Sequence, residues 1–67
     1  MNRLKELRKN KKVTQQVVAD YLGVGRDTVS KWEKGVNSIP EKKLINLSIY
    51  YNVSIDYLLK RDSSDTA

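Results

Sequence analysis

Cysteine and histidine are both missing from this 67-residue sequence. Without cysteine there is no disulfide and no thiolate metal site, and the setting that fits is a reducing interior such as cytoplasm. Without histidine the commonest general base and the commonest zinc ligand are gone. The remaining residues form no nucleophile–base pair, metal-ligand cluster or phosphate-cradling loop, so no enzyme activity, metal or cofactor is expected. Long apolar runs are also lacking, which excludes a membrane-spanning helix, and the charged start MNRLKELRKNKK has no signal-peptide apolar core. Repeats and low-complexity segments do not occur.

A chain this short makes one domain and hides only about 60% of the surface its unfolded form exposes, so its stability should be modest. The net charge is +5, from 13 Lys and Arg against eight Asp and Glu. Its distribution says more than its size. Residues 1–34 hold nine bases against four acids, whereas residues 35–67 hold four of each. A basic half points to a polyanion partner, nucleic acid or an anionic membrane surface. No stretch pairs a wide apolar face with a Lys-rich one, which disfavours the membrane.

Hydrophobic spacing and stop signals divide the chain into five short helices. The first runs from Arg3 to Lys11, with Asn2 as its cap, Leu4 and Leu7 as an apolar stripe and Arg8, Lys9 and Lys11 near its C-terminal end. The second follows the cap Thr14 and ends near Leu22, with Gly23 suited to the left-handed position beyond it. The third spans Arg26 to Lys34, and Gly35 offers the same stop. The fourth begins after Ser38, because Ser38-Ile-Pro-Glu41 fits a capping box with proline in the first turn, and it ends near Tyr51 before Asn52. The fifth is Ile55 to about Leu59, behind Ser54. Val13/Val18, Val24/Val29 and Val53/Leu58 each have the spacing of a hydrophobic staple across a helix start. Propensity alone would make Ser48 to Leu59 a strand, yet a lone strand would have no pairing partner. The expected domain is 1–60, with a disordered tail at 61–67.

The stretch Thr14 to Lys34, TQQVVADYLGVGRDTVSKWEK, carries the functional signal. At about 100° per residue, Val29 and Trp32 point inward from the third helix, while Arg26, Asp27, Ser30, Lys31 and Lys34 share an arc of roughly 140° opposite. A solvated helix face has the same composition. The connection Leu22-Gly23-Val24-Gly25, however, is as short as helix-turn-helix geometry requires, and Ala19 is small where the two helices would approach. A helix so presented fits the major groove of B-form DNA, where Arg and Lys match guanine, Asp accepts from cytosine, and Ser or Thr serve either sense.

The chain resembles the helix-turn-helix family of phage Cro and cI repressors and their bacterial relatives, the xenobiotic-response-element family. The resemblance rests on Leu7-Arg8, Thr14-Gln15, Ala19, Leu22-Gly23-Val24, Val29-Ser30-Lys31-Trp32-Glu33, Gly35 and Val53 to Leu59, and covers about residues 2 to 60. It implies an all-α, compact, five-helix, lambda-repressor-like DNA-binding domain. It also implies that Arg26, Asp27 and Lys31 read bases, with Thr28 and Ser30 as lesser candidates. Gln15 stands where the family grips a phosphate, beside the positive end of the second helix, and Lys34 and Asn37 are further backbone contacts. Arg8 and Glu33 stand where relatives pair two helices through opposite charges. Asp27 has a second reading, since an acid in a first turn favours the helix dipole without touching DNA.

Four positions depart from the family pattern. Gly25 replaces the usual Ser or Thr cap of the third helix. Val17 and Tyr21 replace commonly polar residues, either as core edging or as a protein-contact patch. The proline before the fourth helix is shifted by one residue. The expected function is a sequence-specific, DNA-binding transcription regulator, more a repressor than an activator, bound to double-stranded DNA in the cytoplasm without a small-molecule ligand. Relatives dimerise on near-palindromic operators, with recognition helices about 34 Å apart. Tyr51, Ile55, Tyr57 and Leu59 are the candidate homodimer interface, or alternatively core. Taken as an entire protein, the chain has no effector domain, and control would fall to its concentration, an antagonist protein or proteolysis. An antitoxin or restriction–modification controller would use the same DNA-binding chemistry, whereas a protein-interaction module would use only the fold.

Overall fold

Residues 2–61 are described by the computed structural model, and they form α1 (Leu4–Lys11), α2 (Gln15–Leu22), α3 (Arg26–Lys34), α4 (Glu41–Tyr51) and α5 (Ile55–Leu58). No strand occurs among the described residues, so Ser48 to Leu59 holds the end of α4, a turn and α5 where propensity alone would extend it. Residues 62–67 of the expected tail lie outside the described residues. Arg61, the first residue of that tail, is still tied to the domain: its guanidinium reaches the Asp56 carboxylate at 3.0 Å and its N–H donates to the Asp56 carbonyl at 2.8 Å.

Caps explain most of the boundaries. Thr14 accepts from the Val17 N–H at 3.2 Å, and Ser54 accepts from the Tyr57 N–H at 3.0 Å. Gly23 and Gly35 take left-handed backbone at φ 72° and 75°, and Asn52 does so at φ 56°. These are the conformations their side chains tolerate best. The staple residues all join the core: Val18, Val29 and Leu58 are buried in it, and Val13, Val24 and Val53 pack against it.

Two starts differ from expectation. Arg3, not Asn2, is the N-cap of α1, although the Asn2 side chain still accepts from the Leu4 N–H at 3.1 Å. The capping box before α4 does not form, because Pro40 is the N-cap itself, with ψ 147°, and no side chain caps that end. The helical conformation is disfavoured for the residue before a proline. Ser38 therefore lies too early to reach the first turn, and Glu41 opens the helix rather than closing a box.

The core is one cluster of Leu4, Val18, Ala19, Leu22, Val29, Trp32, Leu47 and Leu58, drawn from all five helices. Burying such side chains removes about 1.5–3 kcal/mol of unfavourable hydration each. The chain start and α5 are then stitched together. The Arg3 N–H donates to the Leu58 carbonyl at 2.8 Å, and the Arg3 guanidinium donates to the Tyr57 carbonyl at 2.7 Å while lying 4.1 Å from the Tyr57 ring centre. Two polar side chains add bonds at helix ends. Lys43 donates to the Leu22 carbonyl at 2.7 Å, and Asn2 donates to the Trp32 carbonyl at 2.8 Å.

Candidate nucleic-acid interface

α2 and α3 share the most extensive helix–helix contact in the domain, and Ala19 has no exposed surface on the packed side of α2. The turn at Gly23 is closed by the Val24 N–H donating to the Ala19 carbonyl at 3.0 Å. α3 is thereby anchored through Val29 and Trp32, both buried, and its opposite side is left clear. Arg26, Asp27, Lys31 and Lys34 are exposed there, with Thr28 and Ser30 half-buried at the edges. Asn37 is exposed in the segment after Gly35. The geometry thus brings Arg26, Asp27 and Lys31 together on the outside of one helix.

Gln15 is different. It is half-buried at the first position of α2, and its amide Nε2 donates to Glu33 Oε1 at 3.1 Å. Glu33 Oε2 meets Arg8 Nε at 2.7 Å, with side-chain exposures of only 13% for Arg8 and 4% for Glu33. Arg8 also donates from Nη2 to Glu33 Oε1 at 3.4 Å and from Nη1 to the Val13 carbonyl at 3.1 Å. A charge pair so enclosed is costly to break by halves, because removing one partner strands the other. The resemblance placed Gln15 and Glu33 in separate roles. In the structure they form one network that ties α1, α2 and α3.

Tyr51, Ile55, Tyr57 and Leu59 are all half-buried, and Tyr51 and Leu59 pack against the domain's own core. Burial, followed by the nearby Glu33 charge and Tyr50, pushes the Tyr51 phenol well above its ordinary value of 10.0, with Arg8 opposing. The large apolar side chains left most exposed lie elsewhere, at Val17 and Tyr21 on α2, Ile45 and Ile49 on α4, and Val36. Val17 and Tyr21 are thus about half exposed, with Tyr21 still edging the core through Tyr50. Tyr21 stacks on Tyr50 with ring centres 4.5 Å apart. Ile49 is 67% exposed, so α4 is apolar on its outer side as well as its inner one. Sequence spacing gave a hint of this in Ile45 and Ile49, four residues apart, but no reason to separate them from core positions.

A buried-backed, outward-facing α3 joined to α2 by a tight glycine turn defines a helix-turn-helix domain. The chain belongs to the Cro/cI-type helix-turn-helix family, whose model matches residues 4–58. It is a family of DNA-binding regulators rather than enzymes. The chain is 47% identical over 62 residues to the uncharacterized HTH-type transcriptional regulator YqaE of Bacillus subtilis, covering 92% of this chain and 53% of that protein. It is 39% identical over 57 residues to the HTH-type transcriptional activator BcrR of Enterococcus faecalis, covering 85% of this chain and 28% of that protein. It is 34% identical over 64 residues to Repressor protein C2 of Salmonella phage P22, covering 96% of this chain and 30% of that protein. The chain therefore spans about half the length of the first and under a third of the other two. No helix among the described residues is long and apolar enough to cross a membrane.

Proposed function

We propose that this chain binds double-stranded DNA as a sequence-specific transcription regulator, acting as a repressor on a near-palindromic operator, as a homodimer in the cytoplasm. The observation that carries DNA binding is the outward row Arg26, Asp27 and Lys31 on a helix braced from behind by Val29 and Trp32. About nine residues of helix fit the major groove with their N-terminal half against base edges. Dimerisation is argued from affinity, since one recognition helix reads too few base pairs to find its site among genomic competitors. Ile55 and Tyr57 remain its candidate contacts, with less support for Tyr51 and Leu59, which serve the monomer core. Repression is argued from occupancy, since a domain seated on an operator excludes polymerase there; of the relatives, the phage protein is named a repressor and the Enterococcus faecalis protein an activator.

In this reading Gln15, Lys34 and Asn37 fix the register on phosphates, while Arg26, Asp27, Thr28, Ser30 and Lys31 choose the sequence. Selection from random duplexes tests the whole proposal, because enrichment of a palindrome supports the dimer and no enrichment sinks the function. Lys31→Ala should relax preference at one base position by about 1–3 kcal/mol, and Gln15→Ala should weaken all sequences evenly. A second reading, a protein-interaction module, is favoured by one feature: the exposed Val17, Tyr21, Ile45 and Ile49. Salt discriminates, since DNA affinity falls log-linearly with added salt and an apolar interface does not.

A further inference from the structure

The Glu33 carboxylate is engaged at both oxygens. Oε2 accepts from Arg8 Nε at 2.7 Å, and Oε1 accepts from Gln15 Nε2 at 3.1 Å and from Arg8 Nη2 at 3.4 Å. An ionised carboxylate only accepts hydrogen bonds, so Gln15 can meet it only through its NH2 group and never through its carbonyl. The amide's orientation is therefore set by chemistry. One N–H is held by Glu33, and the second N–H, narrowed in direction by the planar amide, is left to donate elsewhere. A carboxylate so placed would repel a phosphate arriving at Gln15, were it not neutralised by the guanidinium at 2.7 Å.

From this we infer that Glu33 is a positioning residue for phosphate capture, acting through Gln15, with Arg8 as the counter-charge that makes a carboxylate tolerable there. The inference rests on the proposed role of Gln15 at the DNA backbone. Its physical content is preorganisation: a glutamine already fixed has less rotational freedom to lose when the duplex arrives. Losing that anchor should weaken binding about two- to tenfold, the scale of one immobilised flexible side chain.

The test compares wild type, Gln15→Ala, the paired Arg8→Met/Glu33→Leu variant and the triple variant, each titrated with one mixed-sequence duplex at a fixed low salt concentration. The paired change removes one charge of each sign, so the net charge of +5 is kept. Replacing a buried ion pair by apolar groups of similar volume is also often neutral or stabilising. The paired variant should lose about two- to tenfold in affinity, and the triple variant should bind no more weakly than Gln15→Ala alone. Losses that simply add, or a paired variant that binds like wild type, overturn the inference.

A readout free of DNA accompanies the titration. In wild type one Gln15 side-chain amide proton should be shifted and protected in nitrogen–proton spectra, and in the paired variant it should become solvent-like. A solvent-like amide in wild type also overturns the inference. Should the paired variant unfold, Arg8→Leu/Glu33→Leu, which also keeps the net charge and offers Gln15 no acceptor, enters the same cycle and the same spectra with the same expectations, and the wild-type amide remains a test by itself. If wild type shows no salt-dependent DNA binding, or Gln15→Ala binds as wild type does while the amide is anchored, the proposed function or the role of Gln15 fails instead. The inference falls with it.

Discussion

Lys12 holds left-handed backbone, φ 63° and ψ 42°, at the end of α1, where a glycine or asparagine would be at ease. The strain follows from what comes next, since the chain must reverse there to place Val13 against the core. Left-handed backbone costs an ordinary residue about 1–2 kcal/mol, while glycine adds about 0.5–1 kcal/mol of unfolded-chain entropy. Lys12→Gly should therefore gain up to about 1 kcal/mol in urea unfolding. Lys9→Gly, inside the helix, should lose about 1 kcal/mol. Equal losses from both would show that no strain is stored at position 12. Tyr51 supplies a second residue-scale expectation. Burial, then the Glu33 charge, raises its phenol above the ordinary 10.0. A group whose folded-state value is raised gives stability that is complete below the unfolded value and lost as pH climbs toward the folded one. Stability should thus fall above about pH 10, and Tyr51→Phe should flatten that fall relative to wild type. Unfolding free energies between pH 9 and 11 that decline in parallel for both proteins would refute this.

At the scale of elements, α3, like α4, begins with no side-chain cap. Gly25 has extended backbone, φ −79° and ψ 156°, offers no side-chain hydrogen bond, and has nothing within 4 Å of where a Cβ would stand. Gly25→Ser should raise stability by about 0.5–1 kcal/mol, by capping the helix and by stiffening the unfolded chain. A thermal melt that does not move, or moves down, would show that the cap position is occupied in some other way. The same position illustrates what was legible. Caps, glycine stops and staples are local rules, and they located α2 and α3 within the sequence because the deciding residues lie within one turn of the boundary. The start of α4 was misread because two local rules compete there, and the backbone restriction imposed by Pro40 outweighs the attraction of Ser38. For the candidate site, helical periodicity was enough to put Arg26, Asp27 and Lys31 on one exposed arc. It could not reveal the Gln15–Glu33 bond, which joins different helices across 18 positions. Nor could it tell that Val17, Tyr21, Ile45 and Ile49 stay in solvent, because apolar spacing is the same for a core face and an uncovered one.

At the scale of the molecule, one cluster gathers side chains from every helix, and the chain start is bonded to α5, so no helix has a core of its own. Such a domain should unfold in a single step. Its total stability, at roughly 0.05–0.15 kcal/mol per residue, is a few kcal/mol and at most about ten. Leu58, with no exposed surface, sits on the four-residue α5, which has too few residues to be helical unaided. Leu58→Ala should cost about 2–5 kcal/mol, a large share of the whole. The loss should reach every helix, α3 included, although Leu58 lies far along the chain from the recognition row. Trp32 is the sole tryptophan and only 5% exposed, so its fluorescence reports directly on the back of α3. In urea, wild type and Leu58→Ala should each show fluorescence and far-ultraviolet dichroism transitions that coincide, with the variant's midpoint lowered. If Trp32 kept its wild-type midpoint while helical signal was lost early, the α2–α3 element would be an independent unit. The packing of α5 would then have no hold on the helix proposed to meet DNA.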